Sequence, residues 1–380
     1  MIRVLQFADV VNRHDFVDVI VRHADRSRFL VGVCTRTNLS NIADPAYDSS
    51  VPHWVIRGKS RLCLPWTVLN LARLLRSWHA DILHTHHYDQ AVIGWLATRI
   101  CPTTRLVVGR HYWDSIYQLS QGARRKALLK IEGLSNRAAS RIVVPSKDAA
   151  DLLAGRQGVD PGRIDLVPYA FDPDRCPSLA EGDVRRIRDE FGLEGRFSIG
   201  SFGRLHVEKG QHYLLQAVAE LRKRVPQVAV LLVGEGPERP SLEKEIRGSG
   251  LEHTVRLLGH RRDAMAVMSA VDAVVQPSLH EAFSQVMAES MWMGKPLVMT
   301  DVSGAPDVIR DGENGLLVPR ANPEALCAAI ERLIADPALR DRMGTTGRLF
   351  VERNLTVGRI VPRYERCYIQ VLDQAAPGGL

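Results

Sequence analysis

The chain has 380 residues, 45% of them apolar and 24% charged, with a formal net charge of +7. The length exceeds one ordinary core and points to two or three domains; the composition is that of a globular protein with ample material for a core. No apolar run is long enough to span a bilayer, and Cys34, Cys63, Cys101, Cys176, Cys327 and Cys367 form no close pair, which excludes a zinc site or redox dithiol of the usual spacing. Met1–Phe7 opens directly as a strand, without the zones of a signal peptide, so the expected location is cytoplasmic. The charge is uneven. Residues 1–180 hold 24 Lys and Arg against 16 Asp and Glu, whereas the remainder holds 26 against 27. A basic half suits an anionic partner such as a lipid phosphate or membrane surface, and equally suits plain solubility.

Short β-branched runs alternate with helical patterns. Strands are expected at Arg3–Ala8, Phe29–Cys34, Asp81–His86, Arg105–Gly109 and Arg141–Pro145, with helical stretches such as Thr67–Trp78 between them. This alternation predicts βαβ units and a parallel sheet covered on both faces. The helical pattern at 121–134 carries Arg124, Arg125, Lys126 and Lys130 with apolar Ala127, Leu128 and Ile131. It is either an ordinary solvated helix packed on its sheet or a face for anionic lipid. Phe171–Pro177, with two prolines, reads as a linker. A second series follows at Ser198–Phe202, Val228–Val233, Val255–Leu258, Ala273–Gln276, Pro296–Met299 and Gly315–Val318, and Val357–Leu372 has helical spacing. The expected domains are residues 1–178 and 179–356, with the helix in 357–380 packing back on the first.

In doubly wound sheets ligands bind beyond the carboxyl ends of the strands, and the two strongest motifs fall there. Ser201–Gly210 runs from strand end through a glycine turn into a helix, with Arg204 and Lys209 bracketing the turn. Free helix N–H groups and two cations suit phosphate; merely solvated basic residues on a surface turn are the alternative. Pro277–Ser290 places Glu281 in a loop after a strand and Glu289 inside a helix starting near Ser284, about two turns on, so that both can face one side. Carboxylates there suit neutral sugar hydroxyls better than phosphate.

Together these motifs resemble the retaining glycosyltransferases of the GT-B fold, specifically glycosyltransferase family 4, over nearly the whole chain. Ala139–Ser146, Val167–Asp172, Gly203–Gly210, Val233–Pro237, the pair Glu281 and Glu289, Gly294–Pro296 and Asn314–Gly315 follow the family's order and spacing. The resemblance implies two doubly wound Rossmann-like domains facing across a cleft. It implies transfer of a sugar from a nucleotide-diphosphate sugar, UDP- or GDP-linked, to a hydroxyl of a carbohydrate or lipid-linked acceptor in glycan, polysaccharide or glycolipid synthesis. Retention, no metal and no cofactor are implied with it.

On the loop opened by Gly203, Arg204 and Lys209 would hold the diphosphate. Glu281, with the Phe283 and Ser284 backbone, would hold the donor sugar, and Glu289 the ribose. Leu258, Gly259 and His260 would lie against the base, and His111 near the anomeric centre. His111, Arg204, Lys209 and Glu281 form the implied catalytic set. The developing charge on the departing diphosphate would be met by Arg204, Lys209 and helix N-termini. The loop Ala8–Arg13 lacks the family's paired glycines, Ala282 and Ser284 stand where glycines are common, and Tyr169–Ala170 where Asn-Gly is common. A nicotinamide oxidoreductase would need a G-x-G-x-x-G turn after the first strand, and Ala8–Arg13 has none. A non-catalytic sugar-nucleotide-binding relative is the other alternative. His84, His86 and His87 suggest cleft-lining or acceptor-site histidines rather than a metal site. Nucleic acid is not an expected partner; peripheral contact with the inner membrane face is.

Overall fold

The computed structural model describes residues 1–9, 16–36, 50–58, 63–111, 122–176 and 180–373. The loop segment 10–13, Gln121 and Pro177 lie outside the described residues. The chain divides into two compact units, Met1–Asp172 with Val357–Leu380, and Pro173–Thr356.

The first unit runs β1 (Ile2–Ala8), α1 (Phe16–His23), β2 (Phe29–Thr35), β3 (His53–Val55), α2 (Leu64–Ser77), β4 (Ile82–His86), α3 (His87–Ile100), β5 (Arg105–Gly109), α4 (Ala123–Ala138), β6 (Arg141–Val144), α5 (Lys147–Gln157) and β7 (Ile164–Leu166). The second runs α6 (Glu181–Phe191), β8 (Phe197–Phe202), α7 (Gln211–Arg224), β9 (Val228–Val233), α8 (Arg239–Gly248), β10 (Val255–Gly259), α9 (Ala264–Ala270), β11 (Ala273–Gln276), α10 (Gln285–Trp292), β12 (Leu297–Thr300), α11 (Ala305–Val308), β13 (Leu316–Val318), α12 (Pro323–Ala335) and α13 (Pro337–Asn354). The last helix, α14 (Val357–Asp373), belongs to the first unit.

Both sheets are parallel and doubly wound. The first has the order β3-β2-β1-β4-β5-β6-β7, the second β10-β9-β8-β11-β12-β13. Sequence order reverses between β1 and β4 in one and between β8 and β11 in the other, which are the positions where such sheets open a crevice at their carboxyl ends. The central strands are buried because both faces are covered, and β9 is apolar and buried at every position. The short strands β3 and β7, absent from the sequence reading, are three-residue edges with only partial burial.

Each face of the first sheet has its own core. Leu5, Phe7 and Leu83 point to α2, α3 and α5, whereas Val4, Ile82 and Val107 point to α1 and α14. The α14 helix buries Ile360, Val361, Tyr364, Cys367, Tyr368 and Val371, a stripe of helical period. At roughly 1.5–3 kcal/mol for each large apolar side chain removed from water, that stripe is ample to seat the helix.

Candidate active site

In the second unit the two expected motifs leave neighbouring strands on either side of the switch point, since β8 pairs with β11. Gln276, the last residue of β11, donates from Nε2 to the Phe202 carbonyl at the end of β8 (2.9 Å) and ties the two ends together. The chain turns at Gly203, makes a short turn over Val207–Lys209, and enters α7 through Gly210, whose φ of 64° favours glycine. A Cβ at Gly210 would strike the Pro277 carbonyl oxygen, so the two loops touch through their backbones. The Glu208 carbonyl accepts the Leu279 and His280 N–H groups at 2.8 and 3.3 Å.

This backbone contact brings Lys209 and Glu281 together. Lys209 Nζ donates to Glu281 Oε1 at 2.7 Å, and Ser278 Oγ donates to the same oxygen at 2.9 Å. The side chains are 19% and 11% exposed, so the bond is charge-assisted and sheltered from solvent. Arg204 is placed differently. It is 71% exposed, and its Nη2 donates to Glu208 Oε1 at 2.7 Å. The two cations therefore do not converge; each carries its own carboxylate.

The loop after β9 completes the rim. Gly234, with φ 145°, lies so close to Gly203 that a Cβ there would strike the Gly203 carbonyl oxygen, and its N–H donates to the Gly259 carbonyl at 2.9 Å. Leu205 N–H donates to the Glu235 carbonyl at 2.9 Å. The carboxyl ends of β8, β9, β10 and β11 are thus laced by backbone bonds, with Gly259 at the outer edge and His260 exposed beside it.

Phe283 and Ser284 are buried, and Phe283 rests against Gly304, the residue before α11. Ser284 caps α10, its Oγ accepting the Met287 N–H at 3.3 Å. Helix α10 begins at Gln285, next to the expected start near Ser284, with Glu281 in the loop before it and Glu289 inside it. Glu289 is half-buried on α10. Sequence reasoning missed Glu208 and Ser278, the groups that hold Arg204 and Glu281. Their proximity in sequence, four positions from Arg204 and three from Glu281, is the only signal for either.

In the first unit, His111 follows β5 and Arg110, and is 8% exposed. Its ring stacks on Phe16 with centroids 3.8 Å apart. Both ring nitrogens are engaged: Nδ1 with the Tyr169 hydroxyl at 2.8 Å and Nε2 with His86 Nδ1 at 3.1 Å. His84 and His86 are fully buried rather than lining a cleft, because β4 is a central strand covered on both faces. Burial pushes the His84 pKa down to about 3, and it holds those of His86 and His111 well below the ordinary histidine value. Neighbouring His87 and Arg110 push His111 the same way. No group of three or more His, Cys, Asp or Glu among the described residues has the arrangement of a metal site.

Residues 196–336 match the family profile described as "Glycosyl transferases group 1", and residues 13–175 the profile "Glycosyltransferase Family 4". The chain is 30% identical over 291 residues to a 2-deoxystreptamine glucosyltransferase of Streptomyces kanamyceticus, covering 74% of this chain and 75% of that one. It is 30% identical over 290 residues to a D-inositol 3-phosphate glycosyltransferase of Salinispora arenicola, covering 71% and 64%. The fold superposes on Anabaena Alr3699/HepE in complex with UDP, with a TM-score of 0.82 at 23% identity over 97% of this chain and all of that one. It superposes on the sucrose-phosphate synthase of Thermosynechococcus elongatus with a TM-score of 0.78 at 22% identity, over 99% and all. The chain belongs to the group 1, family 4 glycosyltransferases and is a nucleotide-sugar-dependent transferase of the GT-B fold.

Proposed function

We propose that this enzyme moves a hexose from a UDP- or GDP-sugar to a hydroxyl of a carbohydrate or lipid-linked acceptor, with retention and without a metal, in the synthesis of a glycan, polysaccharide or glycolipid. The observation that carries the donor reading is the sheltered contact of Lys209 with Glu281 at the carboxyl ends of β8 and β11. A carboxylate beside an ammonium gives one acceptor for sugar hydroxyls and one cation for the phosphate next to them. Arg204, at the open side of the same loop, exchanges Glu208 for the diphosphate, and Glu289 takes the ribose. Gly259 and His260 flank the base. His111 stands at the sugar end.

As the anomeric bond breaks, charge accumulates on the departing diphosphate. Lys209, Arg204 and the N–H groups opening α7 oppose it, and the departing phosphate takes the proton of the acceptor hydroxyl. The name of the Streptomyces relative and the UDP held by the Anabaena protein favour a UDP-hexose. A thermal-shift screen over UDP-, GDP- and ADP-sugars, with and without EDTA, tests this. One nucleotide class at 100 times its dissociation constant should stabilise the protein by about 2.7 kcal/mol, unaffected by EDTA. No shift with any of them contradicts the donor reading, and loss of the shift in EDTA contradicts metal independence.

The membrane part rests on α4, where Arg124, Lys126 and Lys130 are exposed. Each basic residue near an anionic surface contributes about 1 kcal/mol, screened over about 8 Å at physiological salt. Co-sedimentation with anionic vesicles should be salt-sensitive and should weaken when Arg124, Arg125 and Lys126 become Ser. No binding at low salt removes the membrane from the proposal and leaves the donor reading intact.

A further inference from the structure

Three helices of the first unit border a cavity of about 230 Å³ at the carboxyl ends of β2 and β4. Its wall is apolar: Leu64 from α2, Val92 and Ile93 from α3, and Leu128 and Ile131 from α4. Ile93 is buried and the other four are half-buried, so this surface is turned inward without being packed away. Leu128 and Ile131, three positions apart, face the same way on their helix. The Tyr88 O–H donates to the Leu128 carbonyl at 3.1 Å and ties α3 to α4 across the wall. A dry cavity of about 150 Å³ holds a benzene, and pockets for whole drug-sized ligands begin near about 300 Å³. This one takes a short chain or a single substituted ring.

The same cavity has polar lining. Arg36 directly follows β2 and is 8% exposed. Its Nη2 donates to the Gly58 carbonyl at 2.6 Å, which fixes the guanidinium. Its Nε is buried and has no hydrogen-bond partner among the described residues. An unmade buried donor is costly, and an oxygen held in the cavity would satisfy it. The carboxylates of Asp9 and Asp89 lie 3.5 and 3.6 Å from Arg36 Nη1, and both side chains are more than half exposed. Two carboxylates against one guanidinium leave a negative excess. The first turns of α2 and α3, which border the cavity at Leu64 and Asp89, offset part of it. No positive excess is left to hold an anion. A neutral hydroxyl suits both partners, since its oxygen can accept from Arg36 and its proton can go to Asp89.

We propose that this cavity binds a neutral amphiphile: an apolar chain or ring on the wall formed by α2, α3 and α4, with a hydroxyl of its head group at Arg36 and Asp89. As the acceptor of a transferred sugar, such a molecule rests on the function proposed above. Its occupancy of the cavity does not, and it involves the first unit alone. The acceptor is thereby narrowed to an alcohol or glycoside with an apolar part, recognised through that part and not through a phosphate.

Calorimetric titration of the whole chain without nucleotide tests this. The probes are octyl glucoside below its micelle-forming concentration, methyl glucoside as the head alone, and octyl phosphate as the same chain on an anion. Octyl glucoside should bind one to one and about 10-fold or more tighter than methyl glucoside, because each buried methylene favours binding. Octyl phosphate should bind more weakly than octyl glucoside. Asp89→Asn should strengthen octyl phosphate by about 3-fold or more and change octyl glucoside less. Val92→Trp fills the cavity from a half-buried position and should weaken octyl glucoside by about 10-fold or more. If that variant melts at a much lower temperature, Leu128→Ser takes its place with the same expected loss. Equal affinity for methyl and octyl glucoside overturns the proposal. So does octyl glucoside binding that survives both variants, or octyl phosphate binding that is the tighter of the two. Octyl glucoside binding as expected, in a protein that no nucleotide sugar stabilises, removes the donor reading and leaves the cavity assignment. Stabilisation by a nucleotide sugar with no binding of octyl glucoside overturns the cavity assignment alone.

Discussion

Lys209 and Glu281 are 72 positions apart in the chain and 2.7 Å apart in space. Their motifs were legible because both follow β-strands and carry charge where a surface turn needs none. What the sequence could not give was the pairing itself, which depends on Gly210 and Pro277 meeting backbone to backbone. For the same reason the detachment of Arg204 toward Glu208 was invisible: it is a rotamer choice on an exposed turn. The glutamates divide by environment. Glu281 is bonded to Lys209 and Ser278 beside the Gly203–Gly210 loop, whereas Glu289 lies on α10 beyond its capped end. Glu289→Gln should lower affinity for the free nucleotide, and Glu281→Gln should lower turnover and blur discrimination between donor sugars. Calorimetric titration with the free nucleotide checks this; equal losses of affinity in both variants would show the roles to be wrongly divided.

Helix α4 shows how an element can be legible while its buried face is not. Its apolar residues suggested packing through Ala127, Leu128 and Ile131, yet Ala127 is exposed and the other two are half-buried. The buried side is Glu132, Gly133, Ser135 and Asn136. A partner hidden in sequence makes this tolerable. Arg110, 1% exposed, donates to Asn136 Oδ1 at 2.8 Å and Ser135 Oγ at 3.0 Å and lies 3.5 Å from Glu132. Gln157 of α5 donates to the other Glu132 oxygen at 2.8 Å. Removing one member of a buried ion pair leaves the other charge unmatched, so Arg110→Met should destabilise the protein by about 3–5 kcal/mol in urea titration. A loss under 1 kcal/mol would mean the pair is effectively solvated. By contrast, the long central strands and α14 were readable from periodicity alone, while β3 and β7 were too short and too exposed to give a pattern. At the strand ends, Gly234→Ala would drive a methyl into the Gly203 carbonyl; it should cost donor affinity before it costs the fold, measurable by comparing melting temperatures with and without donor.

At the scale of the whole molecule, the buried histidines set a pH dependence. His84, His86 and His111 have their pKa values depressed by burial, His84 to about 3. Below the unfolded value of 6.5 the unfolded chain takes up protons there that the folded chain refuses, so stability falls with pH. For His84, held near 3, this amounts to about 1.4 kcal/mol per pH unit once the unfolded histidine is protonated, and His86 and His111 act in the same direction. His212 has the opposite sign. Burial lowers its pKa, but hydrogen bonds to Glu245 and Glu238 outweigh this and raise it. Its contribution is complete below 6.5 and fades as pH rises through the folded value. Urea midpoints should therefore drop steeply from pH 7 to pH 5; a flat profile would mean these histidines are hydrated. The proposed phosphate-binding loop, Gly203–Gly210, lies in the other unit and rests on different groups. Its most direct measurement is donor turnover, by hydrolysis or transfer, in Lys209→Ala and Arg204→Ala, alongside melting temperatures. Loss of a preorganised charge at the departing phosphate should lower turnover by roughly 10²- to 10³-fold in each, with the fold retained; near-normal turnover in both variants would contradict a donor held on the Gly203–Gly210 loop.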